Sequence, residues 1–143
     1  MADAFIQDRD SSRQVFLETW DKYNRKIPLE PVEEIILKVI LEHPEYHRYL
    51  ASEDVLDRDF LPDGGEVNPF LHMGLHISIQ EQVSCNRPAG ISVIYEKLAQ
   101  KGKSLHEVEH IMMDCLAETL WWGQRHNTLP DEHMYLECLK RQV

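Results

Sequence analysis

The sequence has little of what marks membrane, secreted or nucleic-acid-binding chains. No run of apolar residues exceeds three, as in Ile35-Ile36-Leu37, far short of the ~20 that span a bilayer. Residues 1–8 carry neither a basic cluster nor a long apolar stretch, so no signal peptide is expected, and the expected location is the cytoplasm. Basic residues are outnumbered, 15 against 25 acidic, for a net charge of −10. Phosphate contacts need clustered Lys and Arg, so neither nucleic acid nor an anionic membrane surface is an expected partner. Cysteine is scarce and irregularly spaced, at Cys85, Cys115 and Cys138. An odd number without a C-x-x-C pair suggests neither a disulfide framework nor a zinc knuckle, and reduced, mostly buried thiols are expected. There is no G-x-S-x-G elbow, no P-loop and no dinucleotide fingerprint. No catalytic residue and no cofactor-binding residue can be named on those grounds.

What is present is helical punctuation. With 143 residues and 43% hydrophobic content, the chain has the size of one domain, residues 1–143, and can fold without staples. Asp10-Ser11-Ser12 offers a cap before a helix from Arg13 to Tyr23, with Phe16, Trp20 and Tyr23 on one face. Pro31 opens a second helix that places Val32, Ile35, Ile36, Val39 and Ile40 on one face. Pro44 ends it and starts a short helix to Leu50. Residues 52–67 read as a long acidic surface loop, and the first eight residues as a flexible end.

Asn68-Pro69 starts a helix to about Ser84, and Ile91 to Gln100 forms another, stopped by Gly102. Ser104-Leu105-His106-Glu107 is a capping-box pattern opening a long helix to Arg125, and Thr128 to Asp131 opens a last one to Arg141. No segment alternates with period two, so strands are not expected. The expected fold is all-α, a single-domain helical bundle of six or seven helices.

Histidine is the unusual component. Of eight, six form i,i+4 pairs: His43/His47, His72/His76 and His106/His110. Residues so spaced lie about 40° apart on one helix face, where two imidazoles can bind one metal ion. His72 and His76 share a stripe with Ile79 and Val83, where core residues belong. Pro44 interrupts the first pair, and His126 and His133 read as surface residues.

His106-Glu107-Val108-Glu109-His110 formally satisfies H-E-x-x-H. It falls in the first turns of a helix in a small all-α chain with no sheet to hold a peptide, which argues against a metalloprotease. The residue pattern instead suggests a metal set of His72 and His76 joined by Glu109 or His110, a donor mix suited to Zn²⁺ or Fe²⁺. Glu118, beside Trp121-Trp122, is a candidate for a carboxyl with a raised pKa if the fold buries it.

Asn68-Pro69-Phe70-Leu71-His72-Met73-Gly74-Leu75-His76-Ile77, then Glu81-Gln82 and Arg87-Pro88-Ala89-Gly90-Ile91, resemble the signature of family 1841 of domains of unknown function. His43-Pro44-Glu45-Tyr46-His47, Glu109-His110 with Met113, Cys115-Leu116 and Glu118, and Leu120-Trp121 with Gln124-Arg125 extend the resemblance from about Arg13 to Leu139. The resemblance implies a small helical protein of the bacterial cytosol, and it implies no substrate, cofactor or catalytic residue.

Two functions fit these features. One is a metal-binding helical domain using His72 and His76. The alternative is a non-enzymatic interaction or regulatory module in which buried His and Glu fix helix packing and the acidic surface meets a protein partner or a second copy of the chain. A hydrolase with a buried His–Glu base ranks last, because no nucleophile accompanies it.

Overall fold

The computed structural model describes residues 9–51 and 68–143, with side chains from Arg13 onward in the first stretch. The first eight residues and the acidic segment 52–67 lie outside the described residues. The protein is all-α, with no strand among the described residues. In chain order the helices are α1 (Arg9–Asn24), α2 (Pro31–Leu41), a 3-10 turn (Pro44–Tyr46), α3 (His47–Leu50), α4 (Pro69–Cys85), α5 (Ile91–Ala99), α6 (Leu105–Arg125) and α7 (Glu132–Gln142). None is long and apolar enough to cross a membrane. The described residues fall into two compact units, Met1–Ile77 and Ser78–Val143.

In the first unit, α1 starts earlier than its polar residues suggest, so Asp10-Ser11-Ser12 lies inside the first turns of α1. Its buried residue Phe16 meets Phe70 of α4 edge to face, with ring centroids 5.8 Å apart. Ile36, Val39, Ile40, Leu50, Met73 and Ile77 complete this core.

The buried face of α2 differs from the expected one. Ile36, Val39 and Ile40 are buried, but Val32 and Ile35 are exposed and Glu33 is buried. Glu33 is drawn in by two bonds: it accepts the Glu30 backbone N–H at 2.9 Å in a capping box, and it pairs with Lys22 at 2.9 Å. These contacts hold the Glu33 carboxyl below the ordinary carboxylate range, the Glu30 N–H contributing most and the Lys22 ammonium next.

The end of α2 is closed by imidazoles. The last four carbonyls of a helix lack intrahelical partners. Val39 O accepts from His43 Nδ1 at 2.8 Å, and Ile40 O accepts from His47 Nε2 at 2.9 Å.

Asn68 caps α4 as its sequence suggests, its Oδ1 accepting from the N–H groups of Phe70 at 3.0 Å and Leu71 at 3.1 Å. In the second unit one side chain organises the turn after α4. Asn86, at φ +52°, offers Oδ1 to the N–H groups of Gly90 (3.1 Å) and Ser92 (3.2 Å), which opens α5. Ser104 caps α6 by accepting from Glu107 N–H at 3.2 Å.

At the other end of α6 the chain turns sharply at Asn127, φ +52°. Gly123 is needed there, since a Cβ at this position would stand 3.0 Å from the Thr128 carbonyl oxygen. Asp131, rather than Thr128, caps α7, accepting from His133 and Met134 N–H.

The cysteines correct the sequence reading. Cys115 of α6 and Cys138 of α7 are joined in a disulfide, with Cα atoms 5.7 Å apart, and only Cys85 is a free thiol. The reason is geometric. The two cysteines lie nearly symmetrically about the Asn127 turn, so folding α7 back along α6 brings them opposite each other. The bridge removes the thiol premise from the argument for a reducing compartment.

Candidate metal centre

In the first unit three imidazoles gather. The ring centroids of His43 and His76 are 4.8 Å apart, those of His43 and His72 5.0 Å, and those of His72 and His76 4.9 Å. His43 and His76 are buried and His72 is half-buried. The pair His72/His76 owes its approach to one turn of α4, as the i,i+4 spacing requires. His43 arrives from the end of α2, where the chain leaves helical geometry at φ −127° before Pro44. A ring nitrogen of His43 and one of His76 lie within 4.8 Å of each other.

The bond to Val39 decides the tautomer of His43. A carbonyl only accepts, so Nδ1 carries the hydrogen. In the neutral ring Nε2 then bears the lone pair, and the carbonyl dipole behind the ring makes that nitrogen a better donor to a metal. Tyr46 lies flat against His43, with centroids 5.3 Å apart and planes 4° from parallel, and it meets His72 edge-on at 5.9 Å. Burial raises the Tyr46 phenol above its ordinary value, with a smaller contribution from Glu45.

His47 follows a different course. Its ring packs on Trp20 at 4.4 Å and donates to Ile40 O, so Pro44 does separate the first histidine pair.

The second unit holds the other named residues, all on α6. The His106 and His110 rings stand 4.3 Å apart, and each offers a ring nitrogen within 4.8 Å of the other's. Both are half-buried, and Glu109 between them is buried. Gln80 Nε2 donates to Glu109 Oε1 at 3.1 Å. Glu109 occupies a position of α6 in register with buried Met112 and Met113.

Glu118, expected to matter only if the fold buries it, is exposed. His126 is on the surface as expected, yet it stacks on Trp122 at 3.9 Å and donates from Nδ1 to Trp122 O.

His43, which the sequence reading did not group with His72 and His76, lies beside them. A signal for it exists: His43 continues the buried stripe of Ile36, Val39 and Ile40 at helical spacing.

No curated protein and no solved structure matches the chain. A family described as a domain of unknown function, DUF1841, matches residues 8–141, nearly the whole chain. The chain belongs to that family.

Proposed function

We propose that this protein binds a divalent transition metal through His43, His72 and His76. The observation that carries the proposal is their mutual approach, with all three ring centroids 4.8–5.0 Å apart and two of the rings buried. Three imidazoles brought together can offer their nitrogen lone pairs to a single shared cation. Ligand nitrogens around tetrahedral zinc stand roughly 3.4 Å apart, so small rotations of His43 and His76 bring their nitrogens to bonding geometry. Imidazole donors suit Zn²⁺ or Fe²⁺ rather than Mg²⁺ or Ca²⁺. Glu109 and His110 of the second unit, grouped with His72 and His76 in the sequence reading, are tested on their own.

Elemental analysis of protein purified without a histidine tag is the test. Bound Zn or Fe that is lost in H76A and in H43A is expected. Metal-free protein that shows no thermal shift with Zn²⁺ or Fe²⁺ overturns the reading. Metal affinity unchanged in H110A and E109Q removes those two residues from the ligand set.

A second reading is favoured by a different observation. His43 and His47 close the end of α2 through main-chain carbonyls, and Gln80 holds the buried Glu109. These are the bonds of an interaction module whose polar groups fix helix packing and whose acidic surface meets a basic protein or a second copy of the chain. In that case H43A and H76A lower the melting temperature with no change in metal content, and low-salt co-purification recovers a specific partner.

A further inference from the structure

The C-terminal helix is weakly self-sufficient. At 11 residues, α7 is shorter than the ~12–15 at which isolated helices become marginal. Only Tyr135, Cys138 and Leu139 of this helix are buried, and one of these three is half of the disulfide. The other attachments are a bond from the Tyr135 hydroxyl to Gln82 Oε1 at 2.6 Å and an exposed one from Lys101 Nζ to Gln142 O at 3.0 Å. The bridge is placed midway along the buried edge of α7, so it holds the centre of the helix to α6. Cys138 is the less shielded of its two residues, 7% exposed against 2% for Cys115. The exposed carboxylate of Glu118 stands 3.9 Å from its sulfur.

We propose that Cys115–Cys138 is a redox clamp that sets whether α7 is held on α6. The reductant is a dithiol. Its thiolate attacks Cys138 Sγ, breaking the Cys115–Cys138 bond and forming a mixed disulfide, and the Cys115 thiolate takes a proton. The second thiol of the reductant then displaces Cys138, which also takes a proton, while the reductant leaves as its own disulfide. Two electrons have passed to the protein, and the new Cys138 S–H can donate to Glu118. With the bridge open, α7 is held by non-covalent packing alone, with Tyr135, Leu139 and the reduced Cys138 as its buried residues.

The test uses the intact chain. Maleimide labelling under native conditions counts one thiol, Cys85, before treatment with a dithiol and three after it. Hydrogen exchange over residues 132–142 then accelerates roughly tenfold or more on reduction, while α6 keeps its protection. The double variant C115S/C138S shows the fast α7 exchange without any reductant. Three reactive thiols in untreated, air-equilibrated protein overturn the proposal, as does a count that excess dithiol leaves at one. Unchanged α7 exchange after full reduction overturns it too. So does loss of protection throughout residues 78–143, which would make the bridge a general staple rather than a clamp on α7.

Discussion

Replacing Phe16 by Ala tests the packing that sets the position of α4 in the first unit. Phe16 is 0% exposed, and its ring meets Phe70 at 5.8 Å with planes 65° apart. Phe70 lies on α4 two residues before His72, and Met73 and Ile77 of the same helix share its core. Truncating a fully buried Phe to Ala costs about 3–5 kcal/mol. The edge-to-face contact accounts for roughly 0.5–1.5 kcal/mol of that.

Against a total stability of about 5–15 kcal/mol, F16A leaves a folded but much weakened protein. For a chain of this length each kcal/mol moves the melting temperature by about 3–4 °C, so a fall of roughly 10–20 °C is expected. Reversible melts followed by circular dichroism at the helix band, with urea titrations at fixed temperature, read it directly. F16L, which keeps most of the volume, should lose less than about 1.5 kcal/mol. If F16A stays within about 1 kcal/mol of the parent, Phe16 is not in the core and the account of how α4 is held in the first unit is wrong.

Three further outcomes follow from local contacts. The Glu33 carboxyl is held below its unfolded value, so it stabilises the fold above about pH 4.3 and loses that contribution as pH falls through the folded value. E33Q should therefore melt lower than the parent at neutral pH, with the gap closing as pH falls through the folded carboxyl value, and a gap that does not change with pH would count against the capping box. Burial raises the Tyr135 phenol far above its ordinary value, so ultraviolet titration should find one tyrosine silent until the protein unfolds in alkali. Y135F, which deletes the donor to Gln82, should cost about 1 kcal/mol in urea unfolding. N68A removes the acceptor for two N–H groups of α4 and should cost about 1 kcal/mol, with N68D restoring most of it. Equal stability of N68A and the parent would show that the cap is not formed in solution.

The helices were legible in the sequence because their starts are written in side chains. Asn68-Pro69 and Ser104 act where their spacing suggests. The failures share a cause: they depend on contacts between residues distant in the chain. Glu33 turns α2 because Lys22, eleven positions earlier, meets it. Cys115 and Cys138 pair because a hairpin superimposes them, which their spacing reveals only once the Asn127 turn is located. His72 and His76 were legible as a pair from spacing alone. His43 was not, because Pro44 made its surroundings look like a broken helix rather than the end of one. Glu109 sits at an apolar position of α6, where its bond to Gln80 helps to make a buried carboxylate tolerable.

The imidazole closure of α2 has a consequence for how the helix and the candidate centre depend on each other. Many helices stop on a glycine whose backbone does the terminating. Here the N–H bonds of two rings join the main-chain bonds at the helix end. On His43 that bond uses Nδ1, at the opposite side of the ring from Nε2. A proton or a metal ion arriving at Nε2 leaves the Nδ1–H in place, so the helix end is indifferent to whether the other nitrogen is engaged. Structural support and any ligand chemistry would thus occupy separate atoms of one side chain, and a metal bound at the proposed centre could come and go without α2 unwinding. A substitution has no such separation: removing the ring of His43 takes away the bond to the Val39 carbonyl and the candidate ligand nitrogen together.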